Sequence, residues 1–187
     1  MSILKKLIAI DLLYAERYAK EQGLPYFPMK DFIRLCSAGN VDVIEVLCTL
    51  QRRVPENDSA EALGAVMQSF ERKRYPLEMC GAKIIECPAK RSQSSQSGYK
   101  QSDDQRLMIK TLTLAMKLRP DFVMLVAADG DYAPMVEALR DEGIRTEIIA
   151  APNTLASELR RHAKNVIDLE TLLQQCPLPP VREDQNQ

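Results

Sequence analysis

The chain has little of what several enzyme classes require. His162 is the single histidine in 187 residues, which disfavours a zinc enzyme and a Ser-His-Asp hydrolase. Neither Gly-x-Gly-x-x-Gly nor Gly-x-x-x-x-Gly-Lys-Ser/Thr occurs, so a dinucleotide-binding fold and a nucleoside-triphosphate loop are unsupported. The net charge of -1 excludes a broadly basic surface. Any contact with nucleic acid must therefore come from a local patch or from a bound metal.

The sequence also shows no spacing typical of a disulfide framework and no apolar run typical of a membrane segment. The five cysteines form no Cys-x-x-Cys pair, and Cys48 and Cys87 lie in apolar runs, so we expect reduced thiols that pack as small hydrophobic groups. No apolar run is long enough to span a bilayer, and the stretch before Asp11 is too short for a signal peptide. These observations predict a cytoplasmic protein without a membrane partner.

Apolar runs alternate with helical patterns along the chain. Strands are expected at 7–10, 41–50, 81–87, 122–126 and 146–150, and helices at 14–20, 28–37, 59–75, 103–118, 134–143 and 155–163. A short edge element is expected at 166–169. Pro76 is expected to end the third helix. Parallel strands need crossover connections, which the helices supply. The sequence predicts one α/β domain over residues 1–175 with a central parallel sheet of about five strands, and a disordered tail over 176–187.

Acidic residues stand where two of the expected strands end. Asp11 follows 7–10, whereas Asp129 and Asp131 follow 122–126, and Asp103 or Asp104 opens a helix that should begin at the same edge. Clustered carboxylates repel one another, and one or two hard cations such as Mg²⁺ or Mn²⁺ would neutralise them. Aspartate is also a favoured helix cap, so turn and cap chemistry alone would explain any single one of these residues. Asp131 is the expected cap of the helix that follows it.

Two polar segments interrupt the pattern. Residues 52–58 read as a loop, and residues 89–102 form a Ser- and Gln-rich stretch that carries Lys90, Arg91 and Lys100. The longer stretch is expected to be a mobile loop. It is either a tolerated surface insertion or a basic flap that contacts phosphates beside the acids.

The run Leu125-Val126-Ala127-Ala128-Asp129-Gly130-Asp131-Tyr132 resembles the strand and Asp-x-Asp-aromatic signature of NYN domains, in particular their LabA-like group. Met135, Val136, Leu139, Arg140 and Gly143 continue the match, Lys100-Gln101-Ser102-Asp103 is similar to the family's Lys-x-x-Asp, and 159–169 looks like its closing stretch. The resemblance covers residues 7–172. It implies a PIN-like, three-layer α/β/α fold and a metal-dependent ribonuclease.

The resemblance also implies specific roles. Asp11, Asp103, Asp129 and Asp131 would be catalytic and would hold Mg²⁺ or Mn²⁺. To these roles our interpretation adds Asp104 as a further metal ligand, and Lys90, Arg91 and Lys100 as residues that bind single-stranded RNA. The sequence does not decide whether Asp103 or Asp104 is the metal ligand. It also leaves open whether the substrate is RNA or DNA and whether the protein is a monomer or a homodimer.

One residue departs from the family pattern. The family commonly carries Asp-x-x-Asn after the first strand, and Tyr14 stands at the Asn position here. Two alternatives to the nuclease remain, and Tyr14 supports the first of them. The first is a non-catalytic module that binds RNA or a protein partner. The second is a hydrolase of small phosphate esters, which would need a tight pocket in place of an open groove.

Overall fold

The computed structural model describes residues 3–54, 59–91, 99–100 and 103–177. The strands are β1 (Leu4–Ile10), β2 (Val41–Arg53), β3 (Lys83–Arg91), β4 (Tyr99–Lys100), β5 (Phe122–Val126), β6 (Arg145–Ala150) and β7 (Asn165–Asp168). The helices are α1 (Leu12–Glu21), α2 (Met29–Cys36), α3 (Ala60–Met79), α4 (Asp103–Leu118), α5 (Ala133–Asp141), α6 (Ser157–His162) and α7 (Leu169–Gln174), and a short 3₁₀ helix spans Gly130–Tyr132.

All seven strands belong to one sheet with the order β4-β3-β2-β1-β5-β6-β7. Six strands are parallel, and β4 is antiparallel to β3. Right-handed crossovers require the helices between β1 and β3 to cover one face and those between β3 and β7 to cover the other. The predicted α/β fold with a parallel central sheet is thus confirmed. Two strands are present beyond the expected five. One is β7, at the position of the expected short edge element, and the other is the short β4, which was not expected.

The central strands are buried on both faces. In β1 and β5 the apolar runs Leu7–Ile10 and Val123–Val126 are almost completely inaccessible to water. Continuous apolar runs of this kind are typical of strands covered by helices on both sides. The burial of these runs fixes β1 and β5 at the middle of the molecule and therefore fixes the positions of the loops that follow them.

The strands β2, β3 and β4 continue past the end of β1 as a projecting ribbon. The last residue of β1, Ile10, pairs with Cys48, whereas β2 runs on to Arg53, which pairs with Ala89 of β3. Beyond that point Lys90 pairs with Lys100 of β4. We call this extension, comprising 49–53, 87–91 and 99–100, the ribbon. It rises above the carboxyl edge of the sheet on one side.

The ribbon corrects two predictions. Arg52 and Arg53 belong to β2 and not to a loop, and the ends of the predicted mobile loop, 89–91 and 99–100, are strands. Backbone pairing between neighbouring strands, which continues with Val54 N donating to Ala89 O at 3.2 Å, outweighs the polar character of these side chains. Residues 92–98 and 101–102 of that loop, and 178–187 of the predicted tail, lie outside the described residues.

Pro76 does not end α3, which continues to Met79. Proline in a helix removes one N–H donor, here the donor that the carbonyl of Arg72 would have used. Arg72 is exposed, so water can satisfy that carbonyl and the last turn survives. Within the described residues, no helix combines the length and the apolar character needed to cross a bilayer.

Candidate metal centre

The carboxyl ends of β1 and β5 lie side by side at the centre of the sheet. The two strands pair from Lys6↔Phe122 to Ile10↔Val126, and Asp11 N then donates to Val126 O at 3.0 Å. The chain moves outward from β1 to β3 on one side and from β5 to β7 on the other. Open α/β sheets bind ligands at such a reversal of strand order. The residues directly after β1 and β5 are therefore the first candidates for function.

Asp11 is the first residue after β1. Its Oδ1 accepts a hydrogen bond from Tyr14 N at 3.2 Å, which caps α1. The pKa of this carboxyl is raised to about 6, chiefly by burial and also by the negative charges of Asp104 and Asp103, against the backbone hydrogen bonds that lower it. Asp11 thus caps α1, and ionising its carboxyl group in the folded protein costs more free energy than in water.

Asp129 and Asp131 follow β5 in a tight turn. Asp129 Oδ1 accepts from Asp131 N at 3.1 Å and so caps the 3₁₀ helix, and both side chains are exposed. The prediction that Asp131 caps α5 is wrong, because Tyr132 holds the cap position there without a side-chain hydrogen bond. The inserted 3₁₀ turn uses the preceding aspartate as its cap. The carboxylate of Asp131 consequently takes no part in capping either helix.

Asp103 and Asp104 begin α4 beside this turn. Asp103 is buried, with 5% of its surface exposed, and accepts from Gln51 Nε2 at 2.7 Å. Asp104 is partly buried and accepts from the hydroxyl of Tyr132 at 2.8 Å. Burial raises the pKa of Asp104, and nearby carboxylates add to the rise, whereas the Tyr132 hydrogen bond lowers it. Both neighbours therefore have a fixed donor that orients the carboxylate.

Three of the five predicted acids come within reach of one cation. Asp104, Asp129 and Asp131 each offer one carboxylate oxygen, and these oxygens lie within 4.8 Å of one another. Asp11 and Asp103 lie outside this group, but with Asp104 and Asp129 they line one cleft of about 430 Å³. The structure therefore brings Asp104, which the sequence offered as an alternative to Asp103, into the tightest group of acids.

The predicted RNA-binding cations lie on the ribbon. Lys90 and Arg91 end β3, and Lys100 ends β4, which places their backbone at the carboxyl edge that also carries the acids. Arg53 at the end of β2 is exposed and adds a cation that the sequence interpretation had assigned to a loop. Arg52 pairs with Glu86. The backbone of the ribbon consequently carries several basic residues of a chain whose net charge is -1.

Tyr14 is fixed in the wall of the cleft. Its hydroxyl accepts from Ala151 N at 3.0 Å and shares a hydrogen bond of 2.9 Å with Thr154 Oγ1. The side chain is buried, with 6% of its surface exposed. It ties the start of α1 to the segment after β6. The tyrosine at the family's Asn position therefore has a structural role in this chain.

Sequence reasoning assigned no role to Gln51 or Tyr132. Tyr132 belongs to the Asp-x-Asp-aromatic signature, which is the signal that could have pointed to it. Gln51 carried no signal, because its contact with Asp103 depends on β2 continuing beyond β1. Hydrogen-bond donors behind a carboxylate commonly orient metal ligands.

Comparison with known proteins agrees with this architecture. A protein of unknown function from Vibrio parahaemolyticus has a similar structure, with a TM-score of 0.65 and 17% identity over 89% of this chain and 93% of that one. An isochorismatase-like hydrolase from Alkaliphilus metalliredigens aligns over 91% of this chain and 98% of its own, at 10% identity and a TM-score of 0.38, too low to support an argument. None of the curated proteins compared with the chain matches it.

The family assignment comes from the sequence of the domain itself. A model of the NYN domain matches residues 11–170, from the acid after β1 to the start of α7. The match includes all five acids described above. The chain therefore belongs to the NYN domain family, which is part of the PIN-like nuclease superfamily.

Proposed function

We propose that this NYN domain is a ribonuclease that cleaves single-stranded RNA with Mg²⁺ or Mn²⁺. The observation that carries the proposal is the group of Asp104, Asp129 and Asp131 at the switch point of the sheet, with their oxygens within 4.8 Å of one another. Hard divalent cations prefer such oxygen ligands. The raised pKa of Asp104 supports a cationic occupant, because part of the rise comes from the neighbouring negative charges that a cation would offset.

The carboxylates have separate tasks in this proposal. Asp104, Asp129 and Asp131 hold the metal, while Tyr132 orients Asp104 from behind. When bound, the metal supplies a Lewis acid that activates water and offsets charge on the scissile phosphate. Asp11, whose pKa lies near 6, can accept the proton of an attacking water at a carboxylate oxygen. Asp103, held by Gln51, adds negative charge on the inner side of the cleft.

Metal binding should be visible as a rise in melting temperature. At a Mn²⁺ concentration about 100 times the Kd, a ligand that binds only the folded state stabilises by about 2.7 kcal/mol. For a domain of this size that corresponds to roughly 5–10 °C. Asp129→Asn should strongly reduce the rise in melting temperature because it removes the charge of one metal ligand. The variant should still fold, since the amide oxygen of asparagine can accept the hydrogen bond from Asp131 N that caps the turn.

Asp42→Asn is the matched control for this experiment. Asp42 is exposed on β2 at the opposite edge of the sheet, so its variant should keep the full shift. An equal shift in wild type and Asp129→Asn would contradict the shared metal site, as would no shift in wild type.

The ribbon should supply the electrostatic part of RNA affinity. Each phosphate contact with a single strand changes the slope of log Kobs against log salt concentration by about 0.7. Replacing Lys90, Arg91 and Lys100 with serine should therefore weaken binding and reduce the slope by about 2, as measured by fluorescence anisotropy in a salt titration.

Serine substitutions at Lys30, Lys73 and Lys117 remove the same charge from exposed positions on α2, α3 and α4 and should leave the slope unchanged. If the two triple variants behave alike, the ribbon is not the RNA-binding surface.

Tyr14 favours a second candidate, a module that binds RNA without cutting it. Its hydroxyl is engaged by Ala151 N and Thr154, so the polar group that the family commonly places after the first strand is not available to the cleft. RNA binding by wild type without cleavage in either Mg²⁺ or Mn²⁺ would support this candidate. Tyr14→Asn then tests whether the family's asparagine restores RNA cleavage. The stability of this variant must be measured as well, because the change leaves Ala151 N without its acceptor.

A further inference from the structure

The first turns of α1 form one wall of the acidic cleft. Leu13, Tyr14 and Arg17 all line it, and the spacing from Leu13 to Arg17 is one helical turn. Tyr14 anchors this wall through its hydrogen bonds to Ala151 N and Thr154 Oγ1. The backbone that carries Arg17 is therefore held at a fixed distance from the acids across the cleft.

Arg17 is the one basic residue among those that line the cleft in the described part of the chain. The lining also includes Asp11, Asp103, Asp104 and Asp129. Such a wall repels the phosphates of a nucleic acid, and one divalent cation held by the group of three acids would offset only part of the negative charge. A guanidinium in the same wall is the group that can attract a phosphate toward the carboxylates.

The donors of Arg17 are available for a ligand. Its side chain is 67% exposed, and its ion-pair partner is Glu21 on the next turn of α1 at 4.0 Å, the limit of an ion pair. Exposed pairs at this spacing contribute little free energy. Among the described residues, no aspartate of the cleft forms an ion pair with Arg17. A guanidinium with uncommitted N–H groups can bind phosphate oxygens in a bidentate manner.

We propose that Arg17 binds a backbone phosphate of the RNA at the mouth of the cleft and so holds the strand over the acids, an inference that rests on the proposed ribonuclease function. Leu13, 45% exposed beside it, provides apolar surface for the adjoining ribose or base. The site takes a phosphodiester of a single strand. Arg17 is a phosphate contact in addition to those proposed for the ribbon.

The test compares four proteins for binding to a short fluorescent single-stranded RNA in Ca²⁺, chosen to limit cleavage. They are wild type, Arg17→Gln, Arg17→Lys and Arg72→Gln, the last removing an exposed arginine on α3 that does not line the cleft. Arg17→Gln should bind about tenfold more weakly and lower the salt slope by about 0.7. Arg17→Lys should keep the slope and lose part of the affinity, since lysine lacks the planar fork.

Two further measurements separate this inference from the function on which it rests. The Mn²⁺-induced rise in melting temperature should be the same in Arg17→Gln as in wild type, because Arg17 is not a metal ligand. Uridine monophosphate titrated with Mn²⁺ present probes a single phosphate without a polymer, and Arg17→Gln should weaken its binding relative to Arg72→Gln.

Each outcome decides. Equal RNA affinity and slope in Arg17→Gln and Arg72→Gln would overturn the role of Arg17 and leave the ribonuclease proposal standing. Failure of wild type to bind RNA would overturn the ribonuclease proposal, and the uridine monophosphate titration would then decide whether Arg17 binds phosphate. If wild type binds neither probe, both proposals fail.

Discussion

Asp104→Asn should lose RNA cleavage by a factor on the order of 100 or more, while RNA binding stays equal or improves. Asp104 belongs both to the group of three acids and to the lining of the cleft, so in the proposed centre its charge would act on the metal directly. Removing one preorganised hydrogen-bond donor from a reacting centre typically costs about 100- to 1000-fold in rate, and we expect the loss of a charged metal ligand to cost at least as much. Asparagine keeps an oxygen that can accept from the Tyr132 hydroxyl, and the fold should therefore survive.

The measurement is cleavage of a labelled single-stranded RNA in Mn²⁺, with Asp131→Asn as a second test and Asp42→Asn as the control. Asp131→Asn should also lose most activity, and Asp42→Asn should match wild type, because Asp42 lies at the far edge of the sheet. Full activity in Asp104→Asn would refute the proposed centre.

Asp11→Asn should make the metal-free protein more stable at pH 7, by up to about 3 kcal/mol. The folded-state pKa of about 6 exceeds the ordinary value of 3.8 by about two pH units, and each unit corresponds to about 1.4 kcal/mol. Between pH 4 and 6 the folded protein holds a proton that the unfolded chain has released. The free energy of unfolding therefore falls as pH rises through this window, and the loss is complete above pH 6.

Urea unfolding at pH 4, 5, 6 and 7 in the presence of a chelator measures this effect. Asparagine can still accept from Tyr14 N, so the variant keeps the α1 cap and removes only the charge. Its profile should be flatter than that of wild type, with a residual slope from Asp104, whose pKa is also raised. Parallel profiles would show that Asp11 does not carry the cost of burial assigned to it.

The central part of the fold was predictable because burial imposes a simple pattern. The runs at β1 and β5 are apolar without interruption, and only strands covered on both faces tolerate that composition. The ribbon was not predictable in the same way. The strands extend through Arg52, Arg53 and Lys90 because the backbone of a neighbouring strand pairs with these residues. The polar side chains in the sequence give no information about whether such a neighbouring strand exists.

The candidate site likewise has one part that was predictable from the sequence and one part that was not. Acids directly after central strands can be located from the sequence, since strand order alone brings those strand ends together. The choice of Asp104 over Asp103 for the group of three depends on the rotation of the first turn of α4, which turns Asp103 toward Gln51. Arg17 was missed because a cation on an amphipathic helix resembles any other solvated residue until the cleft beside it is known.

The pairing of β1 with β5 also governs when the acids of the candidate centre can come together during synthesis of the chain. Asp11 is made early, but Asp104, Asp129 and Asp131 follow only after β2, α3 and β3, and the strand that seats next to β1 is β5. Contacts between segments so distant in sequence form late, because the intervening chain must first be closed into a loop. A nascent chain at the ribosome, surrounded by RNA, would therefore carry separated carboxylates and no assembled centre until β5 has emerged and docked.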